Sequence, residues 1–83
     1  MDKPVKMYTL STCGHCRAVK KFLCDHEVLH EYTDVDLLTG EERKAALDEV
    51  RKHNPLCSFP VILIGDRVII GFNEKTIREA LDL

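Results

Sequence analysis

Ser11-Thr12-Cys13-Gly14-His15-Cys16-Arg17 decides how the rest of the chain is read. On its N-terminal side lies an alternating run, Val5-Lys6-Met7-Tyr8-Thr9-Leu10, and on its C-terminal side a segment of helical periodicity from about His15 to His26. Two cysteines three apart at such a strand-to-helix junction can close a disulfide and reopen it. Cys13, at the helix edge, meets unpaired backbone N–H groups and the positive end of the helix dipole, which favour a thiolate. It is therefore expected to be the attacking sulfur. Cys16, inside the first turn, is the expected resolving partner, placed to attack a mixed disulfide formed on Cys13. His15 and Arg17 bring positive charge beside the nucleophile and are assigned a role in tuning its pKa, with Lys20 and Lys21 adding weaker, screened potential.

Apolar residues fall on both faces of Val5–Leu10, as in an interior strand. Ala18, Val19, Phe22 and Leu23 give the following helix its inner stripe, opposite Arg17, Lys20, Lys21 and Asp25. His30–Asp36 is rich enough in β-formers to predict a second strand leading into Leu37-Leu38. Thr39 stands three residues before Glu42, a capping box, and predicts a helix to His53 with Ala46, Leu47 and Val50 inward, ended by Asn54-Pro55. Pro60–Ile64 and Val68–Ile70 read as two antiparallel strands joined at Gly65-Asp66-Arg67. Asn73 can cap a last helix with Ile77, Ala80 and Leu81 inward. The order is βαβαββα. A strand–helix–strand unit requires a parallel pair, so the hairpin completes a mixed four-stranded sheet flanked by three helices in an α/β fold.

The 83 residues suffice for one domain, 1–83, with one core. A net charge of -2 gives no reason to expect nucleic acid or membrane as partner. Without an apolar run of transmembrane length or a signal-peptide pattern after Met1, a cytoplasmic protein is expected. In that compartment four cysteines are reactive, metal-binding or buried, and a structural disulfide framework is not expected. Cys24 recurs two turns after Cys16 and is expected to be buried in the core. Cys57 fits packing, a regulatory thiol or a third redox partner. His26, His30 and His53 are read as solvated. A zinc ribbon would need a second closely spaced cysteine pair, so no metal site is assigned, although Cys13 and Cys16 could serve as ligands in a metal-binding or iron–sulfur carrier.

The C-x-x-C after the first strand, the βαβαββα order and Ser58-Phe59-Pro60 before the third strand together resemble the glutaredoxin branch of the thioredoxin superfamily. The resemblance spans essentially the whole chain. It implies a thioredoxin/glutaredoxin fold, a cis bond before Pro60 and a Phe59 backbone that hydrogen-bonds a bound thiol or peptide. By the same resemblance Thr12, Ser58, Phe59, Pro60, Phe72, Asn73 and Glu74 form the substrate or thiol-binding rim, with Phe72 otherwise assignable to the core. The implied activity is dithiol–disulfide oxidoreduction on protein disulfides, by a monomer with no bound cofactor.

Two departures bear on the electron donor and direction. Gly14-His15 is the dipeptide typical of protein disulfide isomerases, whose potentials differ from thioredoxin-like ones by about 90 mV, roughly 4 kcal/mol for two electrons. Leu10 stands where glutathione-dependent members often carry a lysine, and Gly71-Phe72 stands where they carry Gly-Gly. Gly-Phe is more similar to redoxins reduced by thioredoxin reductase. The expected donor is thus a thioredoxin-reductase-type enzyme, with glutathione as the alternative reductant or ligand through the Phe59 backbone, Arg17, Asn73 and Glu74.

Overall fold

The computed structural model of the protein describes residues 4–83. The chain forms β1 (Val5–Thr9), α1 (Gly14–Asp25), β2 (Glu31–Asp34), a 3₁₀ turn (Val35–Leu37), α2 (Gly40–His53), β3 (Val61–Ile64), β4 (Arg67–Ile70) and α3 (Glu74–Leu81). One mixed sheet has the order β2-β1-β3-β4. β1 and β2 are parallel, with Thr9 beside Asp34, and the other two pairings are antiparallel. This is the βαβαββα thioredoxin/glutaredoxin fold with three helices.

The two-faced apolar pattern of the first strand puts it at the centre of the sheet, where every residue but Lys6 is buried. Val5 and Met7 pack with Val19, Phe22 and Leu23 of α1, Ile62 and Ile64 of β3, and Ile77 and Ala80 of α3. Tyr8 points to the other face and packs with Val35, Val61 and with Ala46 and Val50 of α2. Each fully buried aliphatic side chain contributes about 1.5–3 kcal/mol, and Met7, Leu23, Ile62, Ile64 and Ile77 all fall on the α1–α3 side. The start of α1 is therefore held by the heavier of the two cores. Among the described residues no helix is long and apolar enough to cross a membrane.

Four local expectations are corrected. β2 ends at Asp34, because Val35 leaves the ladder to start the 3₁₀ turn and plug the second core. Thr39 occupies the N-cap of α2, yet its side chain makes no cap hydrogen bond: Gly40 follows at φ +57°, a left-handed entry that breaks the capping-box geometry. The hairpin turn is two residues, Gly65-Asp66, and Arg67 pairs with Ile64 inside the ladder. Cys24 is exposed, not buried. Eight residues along an α-helix advance about 80° beyond two full turns, which carries Cys24 off the stripe of Cys16, Val19, Phe22 and Leu23.

Candidate active site

β1 delivers the chain to the first cysteine through a short turn, in which the Cys13 N–H donates to the Leu10 carbonyl at 3.2 Å. Cys13 is the N-cap of α1, with φ -84° and ψ 120°, and its sulfur accepts the Cys16 N–H at 3.3 Å. A sulfur thus takes the place of the oxygen in an ordinary helix cap and receives one of the orphan donors of the first turn. Cys13 is half-buried, whereas Cys16 is wholly buried. Burial, together with a hydrogen bond and charge repulsion from Cys13, pushes the Cys16 thiol up to about 12, against opposing pulls from the Leu10 backbone N–H and the Lys20 ammonium. The two sulfurs thus differ in exposure, and burial holds Cys16 as a thiol.

The Ser11-Thr12 turn is pinned from the next element. Asp36 accepts the Ser11 N–H at 2.9 Å and the Ser11 hydroxyl at 2.5 Å. These two bonds hold its carboxyl below the ordinary carboxylate range. The Arg17 guanidinium reaches back to donate to the Ser11 carbonyl at 3.5 Å. Thr12, His15 and Arg17 are exposed around Cys13.

A second wall comes from the segment entering β3. The Phe59–Pro60 bond is cis, as the resemblance implied, and Pro60 is fully buried. Tyr8 pairs with Val61, so continuing that antiparallel register sets Pro60 beside Thr9, close to the turn that leads to Cys13. Asn54 shapes this segment: its side-chain N–H₂ donates to the Ser58 carbonyl at 3.0 Å and hydroxyl at 2.8 Å, and its Oδ1 accepts the Leu56 N–H at 3.2 Å. Cys57 takes a left-handed φ of +52°, donates its N–H to the Asn54 carbonyl at 2.9 Å and packs against the second core. On the far side, the Gly71 N–H donates to the Pro60 carbonyl at 2.9 Å, with Gly71 at φ +82°. Asn73 then caps α3 by accepting the Thr76 N–H at 3.1 Å, and Glu74 pairs with Arg78 at 3.0 Å.

Of the residues singled out in the sequence, Cys13 and Cys16 are joined directly, Arg17 reaches the same turn, and Ser58, Phe59, Pro60 and Gly71 form one tied unit. Phe72 is turned inward: its ring packs edge-on to Phe22, centroids 6.2 Å apart, against the α1–α3 core. The ring is half-buried, so this packing leaves part of it at the surface beside Gly71. Leu10 packs against the second core. His26 also departs from a purely solvated role, its ring lying 4.4 Å from that of Phe22, and His30 Nδ1 sits 2.8 Å from the Val28 carbonyl.

Sequence reasoning missed three supporting residues. Asp36 and Asn54 act on segments distant from their own elements and leave no periodic signal. Lys20, read as part of the wet face of α1, has a side chain only 22% exposed and pairs with Asp34 at 3.0 Å. Its i,i+4 spacing from Cys16 was the available clue. Among the described residues, no group of three or more His, Cys, Asp or Glu side chains is placed to hold a metal ion.

Comparison with known proteins agrees with this geometry. The glutaredoxin family model matches residues 5–69. Methanoredoxin of Methanosarcina acetivorans is similar over 96% of this chain and 85% of its own, at 46% identity and a TM-score of 0.91. A glutaredoxin of Archaeoglobus fulgidus is similar over 94% and 85%, at 38% identity and a TM-score of 0.87. An uncharacterized glutaredoxin-like 8.6 kDa protein of the Clostridium pasteurianum rubredoxin operon is 26% identical over 94% of this chain and 97% of its own.

Proposed function

The chain belongs to the glutaredoxin family, and on that premise we propose that it is a dithiol–disulfide oxidoreductase, reducing or exchanging protein disulfides through a reversible Cys13–Cys16 disulfide. The observation that carries this reading is the division between the sulfurs: Cys13 is half-exposed at a helix N-cap and accepts an N–H, while Cys16 is sealed beneath it. Cys13 attacks a substrate disulfide, forming a mixed disulfide and releasing one substrate thiolate. Cys16 then attacks the Cys13 sulfur, which closes the internal disulfide and frees the second substrate sulfur. Arg17, reaching the Ser11 carbonyl, supplies positive charge to the turn that carries the nucleophile, and exposed His15 stands next to it in the chain. The carrier reading, with the same cysteines as metal or iron–sulfur ligands, is not favoured.

The partner docks along the cis-proline segment. Among the described residues the Phe59 N–H and carbonyl have no protein hydrogen-bond partner, so they are available to an extended substrate backbone or a small thiol. Thr12 borders the nucleophile, and Ser58, Pro60, Asn73 and Glu74 surround the tied unit. The electron donor is a thioredoxin-reductase-type enzyme in preference to glutathione. Leu10 provides no cation for a glutathione carboxylate, and a lost charged contact is worth roughly 1.5–3 kcal/mol, tenfold or more in affinity.

The test is Cys16→Ser. It is expected to accumulate a mixed disulfide on Cys13 with a protein disulfide substrate and to lose dithiol turnover. Turnover at the parent rate would refute the assignment of Cys16. For the donor, steady-state reduction of the internal disulfide by glutathione plus glutathione reductase is expected to run at least tenfold below reduction by a disulfide reductase of the same cell. The reverse order would make glutathione the donor.

A further inference from the structure

The two edges of the sheet are built differently. β2 and β4 each have a neighbouring strand on one side only. β2 reads Glu31-Tyr32-Thr33-Asp34, and a second copy laid antiparallel on it about its centre would set Glu31 against Asp34. Like charges directly opposite are destabilising, and such charge guards an exposed edge against pairing. β4 reads Arg67-Val68-Ile69-Ile70 and lacks that guard: it contains no proline, and its single charge stands at one end.

The phase of the hairpin fixes which backbone groups of β4 are open. The Gly71 N–H donates to the Pro60 carbonyl, and Arg67 pairs with Ile64 directly across the turn. Antiparallel pairs alternate between bonded and non-bonded, so Arg67, Ile69 and Gly71 turn their N–H and C=O groups to β3, whereas Val68 and Ile70 turn theirs to the open edge. The side chains alternate as well. Ile69 is buried in the α1–α3 core, while Val68 and Ile70 are 42% and 41% exposed on the other face, beside Leu63 and Val61 of the second core. The residues that offer backbone partners at this edge are thus the ones that offer apolar side chains.

We propose that β4 is a self-association edge, on which a second copy of this chain pairs its own β4 antiparallel and joins two four-stranded sheets into one. The pairing centres on Ile69. In that register Val68 of each copy lies opposite Ile70 of the other, so every outward N–H and C=O of the strand is bonded, and the apolar pairs carry the second core across the symmetry axis. A register centred on Val68 would instead set Ile70 against the turn residue Asp66, and one centred on Ile70 would set Val68 against Phe72, outside the strand. Charge is compatible too: Arg67 meets Gly71 of the second copy, ahead of the acidic first turn of α3 at Glu74, and never meets itself. An unrelated extended segment would need the same Val-x-Ile spacing that a second copy brings by symmetry. The strand has only four residues, so it covers less than the ~1,200 Å² of a standard interface and gives a weak dimer, with a dissociation constant on the order of 0.1 mM. This dimer replaces the monomer that the resemblance implied, and it stands independently of the redox chemistry.

The test is sedimentation of the reduced protein from about 10 μM to about 1 mM, with backbone amide exchange measured at both ends of the range. Reductant is kept present so that exposed Cys24 forms no cross-link. The apparent mass is expected to rise toward that of a dimer, and the Val68 and Ile70 amides to exchange several-fold more slowly at the higher concentration, with the β2 amides unchanged. Val68→Lys combined with Ile70→Lys, both at exposed positions, is expected to stay monomeric, and Tyr32→Lys on the other edge to associate like the parent. A parent chain that stays monomeric across the range, a dimer that forms without slowing the Val68 and Ile70 amides, or one that persists in the folded double variant would overturn the proposal. If the double variant unfolds, the amide exchange of the parent decides alone.

Discussion

Ser11 hangs its N–H and hydroxyl on the exposed carboxylate of Asp36, whereas the segment from Leu56 to Ser58 hangs on the buried amide of Asn54. Both are irregular stretches beside the reactive sulfur, and each is shaped by one side chain outside it. The first anchor is charged, titratable and open to water. The second is neutral, buried and surrounded by donors and acceptors that have few other partners. The nucleophile's turn is thus held by a contact that solvent can replace. The segment that meets the substrate backbone is held by an amide that is itself buried, with only its partners at the surface.

That contrast sets the size of the response to removal. Asn54→Ala leaves the Ser58 carbonyl and the Leu56 N–H without their side-chain partner, and is expected to cost about 2–3 kcal/mol. In a domain of this size that lowers the melting temperature by roughly 10–20 °C, checked by thermal unfolding of the reduced protein. A shift of only a degree or two would place the support of the segment in its own backbone. Asp36→Asn is expected to leave the melting temperature nearly unchanged at neutral pH and to alter only the local order of Ser11.

The smallest effect is the pH response of the same anchor. The Asp36 carboxyl is held below its ordinary value, so what it contributes is present above that value and is lost as pH falls through the lower, folded one. The Ser11 amide resonance is expected to stay constant down to about pH 4 and to shift only below it. In Asp36→Asn that shift disappears. A Ser11 amide that titrates near neutral pH would mean that another group, such as His15, governs the turn.

Much of the fold was legible because its signals are local. Alternation in Val5–Leu10 marked a two-faced central strand, Gly65-Asp66-Arg67 between apolar runs marked a hairpin whose turn is one residue shorter, and Asn73 capped the helix it was expected to cap. Signals that depend on an angle accumulated over distance, or on a backbone turn, were less safe. Cys24 drifted off the buried stripe because eight residues are not a whole number of turns, and Gly40 turned the chain so that Thr39 could not close its box. Cys13 and Cys16 were legible because their chemistry needs only their spacing and a helix start. Asp36, Asn54 and Lys20 were not, because each acts through the sheet register or an irregular segment that leaves no periodic signal.

The division of labour between the two sulfurs is the central claim, and site-resolved alkylation tests it most directly. Reduced protein is treated with a limiting amount of iodoacetamide at neutral pH, and the labelled positions are located by mass spectrometry of the digested chain. Cys13 is expected to be modified at least tenfold faster than Cys16, whose sulfur is buried and held as a thiol. Labelling of Cys16 as fast as Cys13, or before it, would contradict the account.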